Sequence, residues 1–454
     1  MHISHKEELR ALLAIAAPIC FSQLFQMAMG ITDTILLGGI SERALAIGGL
    51  STGLFFTICF IFQTALNAAG VFIAQALGKK QPHIIPSLYA TSFVFALLLT
   101  IPCMVLIHYI RYLLEWLNES PDIIDQTVHF IGILQWGTFP LLMGVGLFRA
   151  VLPALNAANL LLKTTILMTA LNALLNSSLI YGLFSMPRLE LYGSALATTI
   201  TLWLSSLLLL GIVCFSKKLR PYVYPLSIDL RWIWPFAKLG VPMMAAAAAE
   251  MLLFQATTLQ AALFGTSALA AHQVALNTCT TSYMVSYALG QAANVRAGFW
   301  TGTKNYPMLG QAILIAFLCT GLIAFAMSGL IAGFSTPIAK VFLGHTSVPS
   351  ADGLVLASKL LIIAGLFQSV DGLQTVGNGI LRGMGDTFVP MLFCILGYWA
   401  VAFPAANYLA FTLHYQTIGL WIGLAVGLSI VAFLMIFRIY LLVKKQQTQQ
   451  KNLL

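Results

Sequence analysis

Apolar residues run along this chain in long blocks, not in the short alternation of a soluble fold. Twelve blocks of 20 or more residues recur, near 11–37, 44–77, 85–109, 123–152, 160–184, 191–214, 232–264, 268–298, 307–333, 349–381, 387–411 and 416–443. About 20 apolar residues in a helix cross a bilayer. Backbone in lipid must satisfy its own hydrogen bonds, so each block predicts a transmembrane helix. Several blocks exceed 25 residues and predict tilted helices or ends that protrude into water. Gly and Pro mark the connections, as at 78–82 and 186–188.

The longest internal polar connection, 216–231, falls between the sixth and seventh blocks, and the halves on either side repeat. A shift of 224 residues aligns Pro18 with Pro242, Met27 with Met251, and 44–46 with 268–270. The same register pairs Thr57 with Thr281, 68–69 with 292–293, Val71 with Val295, Gly78 with Gly302, and Lys80 with Lys304. The domains expected are a six-helix lobe at 1–215, a cytoplasmic linker at 216–231, a second six-helix lobe at 232–445 and a cytoplasmic tail at 446–454. With six helices per repeat, both halves enter from the same side, and a pseudo-two-fold along the membrane normal relates them. The fold class expected is therefore an all-α polytopic membrane protein of twelve helices in two bundles. Pro18 and Pro242, inside the first helix of each half, are expected to bend those helices.

Basic residues set the orientation. With both termini on one side, 18 of the 23 Lys and Arg share it, leaving Arg43, Arg111, Arg188, Lys340 and Lys359 on the other. The positive-inside rule then places both termini in the cytoplasm. The acidic group Glu115, Glu119, Asp122 and Asp125 falls on the outer side, where a solvated loop is expected.

Composition agrees with a membrane chain: 59% of residues are hydrophobic, 8% are charged, and the mean hydropathy is +0.90. Soluble proteins carry about 25% charged residues. The net charge of +9 resides in short loops, so it indicates no nucleic-acid partner. Seven cysteines lie inside apolar blocks without paired spacing, which points to buried thiols and neither disulfides nor a metal cluster. The apolar run after Lys6 and Arg10 continues past Pro18 to Gly38, so no cleavable signal is expected, and Ile19 before Cys20 argues against a lipoprotein.

Against this background, three carboxylates lie deep in apolar blocks: Asp33, Glu250 and Asp371. A charge at the bilayer centre costs roughly 2.5–3.5 kcal/mol on insertion scales, so such groups face protein or a watery cavity. Glu250 follows five alanines, Ala245 to Ala249, which let other helices approach closely. The alternative for any one of them is a neutral carboxyl bonded to a neighbouring helix. No deep Lys or Arg offers itself as a partner, since Arg149, Arg296 and Arg382 fall at expected cytoplasmic helix ends. Asn172 and Asn176, four apart, share one helix face, and Thr198 lies in the next block. With Asp33 they supply carboxylate, amide and hydroxyl oxygens, a donor set that suits a hard ion such as Na⁺. Amides also join helices together, which is the alternative. Gln273, Asn277 and Tyr283 in the eighth block fit helix-packing contacts or ligand contacts, and His272 fits a packed histidine.

These residues resemble a known family, the multidrug and toxic compound extrusion (MATE) transporters, and its NorM-like branch in particular. The likeness rests on Pro18, GITDTILLGG with Asp33, ALAIGGLS, VFIAQALGKK, LNALLNSSLIYG, GSALATT, LGVP before Glu250, ALAAHQVALN, and the run from Asp371 through GILRGMGDTFVP. It implies two six-helix lobes in a V, and export of cationic amphiphilic compounds in exchange for Na⁺ or H⁺. It also implies a cation site at Asp33, Asn172, Asn176 and Thr198, and a proton, cation or substrate site at Glu250 and Asp371 with Tyr283 and Gln273. Phe367, one turn before Asp371, departs from relatives that carry a cation-holding tyrosine there, and a phenyl ring offers no oxygen.

The reading is a cation-coupled antiporter of the bacterial inner membrane, a monomer. It uses no cofactor beyond its coupling ion, Na⁺ or H⁺, and its partners are small organic cations and the lipid bilayer. A lipid-linked precursor flippase is the alternative. Such a protein would line its cavity with basic residues to hold pyrophosphate. No nucleophile–base or metal-ligand constellation suggests an enzyme, and the duplicated design disfavours a channel.

Overall fold

The computed structural model describes residues 4–116, 120–343 and 351–451, without the side chains of 351, 352 and 449–451. Glu119 of the acidic outer group and the end of the 446–454 tail lie outside the described residues. Among the described residues every regular element is helical.

The long segments are α1 (His5–Gly38), α2 (Glu42–Gly78), α3 (Pro82–His108), α4 (the bent pair Pro121–Gly137 and Pro140–Ala154), α5 (Ala158–Tyr181) and α6 (Leu191–Phe215). The second half gives α7 (Leu230–Ala262), α8 (Thr266–Thr303), α9 (Tyr306–Gly333), α10 (Gly353–Gly383), α11 (Phe388–Thr412) and α12 (Gln416–Thr448). Ten of these are each long and apolar enough to span a membrane, and α4, bent by 45°, makes an eleventh. α8 has the length, 38 residues, but its Gln, Asn, Thr and Ser content lowers its hydropathy. Leu322 and Phe325 on α9 are 73% and 76% exposed, as side chains facing lipid would be.

The chain forms two compact units. One comprises Phe21–Met244; the other comprises Met1–Cys20 together with Ala245–Leu454. α1 and α7 therefore each start in one unit and finish in the other, and the changeovers lie within three residues of Pro18 and Pro242. Proline inside a helix removes a hydrogen bond and crowds the preceding turn, which makes these the weak points of both helices.

Inside the Phe21–Met244 unit, aromatic rings pack the start of α7: Phe236 lies 5.5 Å from Phe72 and 5.7 Å from Phe95, and Trp232 lies 5.6 Å from Phe72. Gly70 on α2 meets the Ala150 carbonyl of α4 so closely that a side chain would collide with it. In the other unit Gly379 on α10 presses in the same way on Gly290 of α8, the small-residue contact that lets membrane helices pack backbone to backbone.

The repeat leaves a backbone signature as well. Lys80 and Lys304, paired by the 224-residue shift, are both left-handed at φ 55° where α2 and α8 end. On the expected outer side the acidic group finds partners: Asp122 pairs with Arg43, and Asp125 with Arg111 at 2.5 Å. The linker is tied to α3, where the Thr91 hydroxyl accepts from Asp229 N–H at 3.0 Å and Leu219 and Val223 are buried.

Candidate functional site

In the Phe21–Met244 unit, Asp33 is half-buried on α1. The flanking Thr32 and Thr34 turn their hydroxyls back to the Ala28 and Gly30 carbonyls at 3.0 and 2.8 Å, leaving the carboxylate to α5. Asn176 Nδ2 donates to Asp33 Oδ1 at 2.8 Å and to Asn172 Oδ1 at 3.0 Å. Asn172 Nδ2 in turn donates to Thr201 Oγ1 of α6 at 3.4 Å. Both asparagines are fully buried, and Asn176 Oδ1 has no partner. That oxygen is an acceptor facing the same network. Asp33 forms no ion pair among the described residues.

The structure thus joins Asp33, Asn172 and Asn176. Thr198 is buried one turn earlier on α6 and takes no part in the chain of bonds; Thr201, which sequence reasoning missed, closes it. The signal for Thr201 was its spacing of three from Thr198, which keeps both on one helix face. An open pocket adjoins this network, lined by Gln26, Arg149, Thr164, Met168, Thr201 and Ser205 among others. Arg149 donates to Gln26 Oε1, and the Thr164 hydroxyl is buried without a partner. Hydroxyls mixed with flexible thioethers suit amphiphilic guests of varied shape.

In the second unit Asp371 is buried on α10 and Glu250 half-buried on α7. The two lie close enough to repel each other, and both act on Tyr283 of α8 and on the fully buried Tyr398 of α11. Arg382 lies in the last turn of α10, at the helix end expected, and is near enough to Glu250 to attract it, although no salt bridge forms between them among the described residues.

Gln374 donates to the Tyr398 hydroxyl and leaves its own Oε1 unpaired. Gln368 is buried with neither side-chain atom bonded, and Arg382 Nε is unpaired too. Sequence reasoning passed over both glutamines. Their spacing of three on either side of Asp371, in QSVDGLQ, is the signal that sets all three on one face of α10. Gln273 on α8 is half-buried and takes no part in these bonds.

Phe367 is enclosed by Phe254 at 6.4 Å and Trp421 at 5.8 Å, so an aromatic wall stands where an oxygen would help hold a metal ion. His272 is packed as expected. Trp421 Nε1 donates to its Nδ1 at 3.2 Å, and its Nε2 pairs with the Thr258 hydroxyl at 3.0 Å. Thr258 donates to the Phe254 carbonyl at 2.9 Å, so the ring serves as acceptor at one nitrogen and donor at the other, which is the neutral form.

Comparison with known proteins agrees with the duplicated design. The family model described as MatE matches residues 18–178 and again 242–408, two stretches that begin 224 residues apart. A multidrug resistance protein NorM from Burkholderia vietnamiensis is 40% identical over 94% of this chain and 92% of its own length. A probable multidrug resistance protein NorM from Burkholderia mallei is 39% identical over 94% of this chain and 91% of its own length. Among solved structures, the eukaryotic MATE transporter AtDTX14 superimposes with a TM-score of 0.89 at 20% identity, over 99% of this chain and all of the other. A mutant of the Vibrio cholerae MATE transporter VcmN gives 0.86 at 18% identity, over 98% of each chain. At these identities the structural likeness speaks for the fold.

Proposed function

The chain belongs to the MatE family of membrane transporters, and from that premise we propose that it is a multidrug antiporter. It exports cationic amphiphiles in exchange for a coupling cation. The observation that carries this reading is the chain from Asp33 through Asn176 and Asn172 to Thr201, with one buried carbonyl oxygen left over.

A carboxylate without a salt bridge attracts either a coupling ion or an organic cation. The two compete, so loading one releases the other. In the Phe21–Met244 unit the oxygen donors suit Na⁺, with Thr198 and Thr201 both within reach of the same helix face. In the second unit, Glu250 and Asp371 repel each other and neighbour an aromatic wall, which suits proton exchange or contact with a cationic ring system better than a metal ion. The cavity beside Thr201 and Met168 is a candidate for the exported compound.

One basic side chain stands at each group, Arg149 and Arg382, fewer than a pyrophosphate-handling flippase calls for. As proposed, the protein is a monomer in the bacterial inner membrane, with both termini cytoplasmic by the excess of basic residues on their side.

The test is efflux of an ethidium-like dye from proteoliposomes, with a Na⁺ gradient and a pH gradient imposed separately. Efflux driven by at least one gradient, and absent for matched anionic dyes, is expected. Efflux that ignores both gradients, or equal handling of anions, would reject the reading.

A further inference from the structure

The first turn of α1 buries a charge. Glu8, Leu12, Ile15 and Ile19 form one buried face, and Glu8 is only 3% exposed. Arg296 on α8 meets this carboxylate with both arms of its guanidinium, Nε to Oε1 at 2.7 Å and Nη2 to Oε2, and Trp300 Nε1 adds a third bond at 3.2 Å. The guanidinium also lies 5.5 Å from the Phe299 ring and 5.4 Å from the Trp300 ring. All four residues belong to the unit of Met1–Cys20 and Ala245–Leu454.

The repeat supplies the comparison. α7 likewise begins in one unit and changes over near its proline, but its head is packed by aromatic rings, Trp232 and Phe236 against Phe72 and Phe95, where α1 has an ion pair. Apolar rivets of that kind lose stabilisation in full when opened to water. A buried ion pair behaves differently. It adds little net stability over an apolar pair of the same volume, yet each charge regains its hydration when the pair opens toward water. The head of the Asp33 helix is thus held by the contact easier to release, and the head of the Glu250 helix by the harder one.

We propose that the Glu8–Arg296 pair is a releasable latch on the head of α1, and that through the changeover near Pro18 its closing and opening position the segment bearing Asp33 during transport. This rests on the transport reading above. Glu8 and Arg296 are positioning residues: neither belongs to the Asp33 network nor lines the cavity.

Hydrogen exchange and efflux on the full-length protein in lipid nanodiscs and proteoliposomes test it. Glu8→Gln should let amides at 8–17 exchange at least ten-fold faster, with 245–262 unchanged. Glu7→Gln, one residue away on an exposed carboxylate, should alter neither. Replacing both partners, Glu8→Leu with Arg296→Leu, should keep or raise the melting temperature and leave dye affinity within two-fold. It should also lower the maximal efflux rate at least five-fold, because the head no longer releases. Wild-type exchange in Glu8→Gln, an equal effect from Glu7→Gln, or a double variant that transports within two-fold of wild type would each overturn the latch. A wild-type protein that moves no dye under either gradient counts against the transport reading instead, and the exchange data still judge the latch.

Discussion

Asn176 gives one amide N–H to the Asp33 carboxylate at 2.8 Å while its own carbonyl oxygen stays buried and unpaired. The amide therefore holds the carboxylate in place and presents an acceptor beside it. Replacing Asn176 by Leu keeps the volume and removes both functions. A hydrogen bond to a charged group contributes about 1.5–3 kcal/mol. Na⁺ affinity should accordingly fall on the order of ten-fold or more, about ten-fold per 1.4 kcal/mol. The check is the Na⁺-dependent rise in melting temperature, which Asn176→Leu should lose at concentrations that saturate wild type.

The two threonines of α6 should separate by role. Thr201→Val removes the acceptor for Asn172 but only a 3.4 Å bond, so Na⁺ affinity should drop a few-fold. Thr198→Val should match or exceed that loss if its hydroxyl meets the ion directly, and should leave the Asn172–Asn176 bond intact. Titrating both variants with Na⁺ by the same thermal shift decides which hydroxyl binds and which one positions.

The carboxylates of the two units should divide the coupling. Asp33→Asn should abolish Na⁺-driven efflux. Glu250→Gln preserves shape but has no proton to release, so it should lose efflux driven by a pH gradient. Asp371 and Glu250 act on each other, so a fitted titration constant belongs to the pair. Full proton-driven efflux by Glu250→Gln, with normal expression, would leave Asp33 as the sole coupling group.

Topology can be read with thiol reagents in a background lacking the seven native cysteines. A cysteine at Gln447, beyond the last span, should resist an impermeant reagent in intact cells. One at Tyr415, in the turn between α11 and α12, should react. The opposite pattern would invert the assigned orientation.

The linker offers a pH prediction. The Arg231 side chain, at 2.9 Å, and its backbone N–H hold the Asp229 carboxyl below the usual carboxylate range. A depressed folded-state pKa contributes stability above the unfolded value of about 3.9 and loses it as pH falls through the lower folded value. Proteolysis within 216–231 should therefore stay constant between neutral pH and about pH 5 and rise only in stronger acid. Asp229→Asn should remove that acid dependence.

Much of this protein is determined by the sequence itself. Spans follow from apolar block length, because lipid imposes the same length and helical form on any chain that crosses it. The duplication is visible as identities at one shift, and the family model matches at the same interval. Asp33, Glu250 and Asp371 stand out because charge in an apolar block is costly whatever the neighbours. Asn172 and Asn176 stand out because a spacing of four is a property of one helix.

What only the tertiary structure decided are the meetings between helices. Nothing local distinguishes Thr201 from Thr198 as the partner of Asn172, since both lie on one face of α6, and only the packing of α5 on α6 selects between them. Arg382 is a helix-end residue in sequence and structure alike, and only folding brings it near Glu250. Glu8 reads as an ordinary charge ahead of the first span, and only the approach of α8, nearly 290 residues away, buries it against Arg296. Each of these depends on distances between segments remote in sequence, which helix periodicity does not encode.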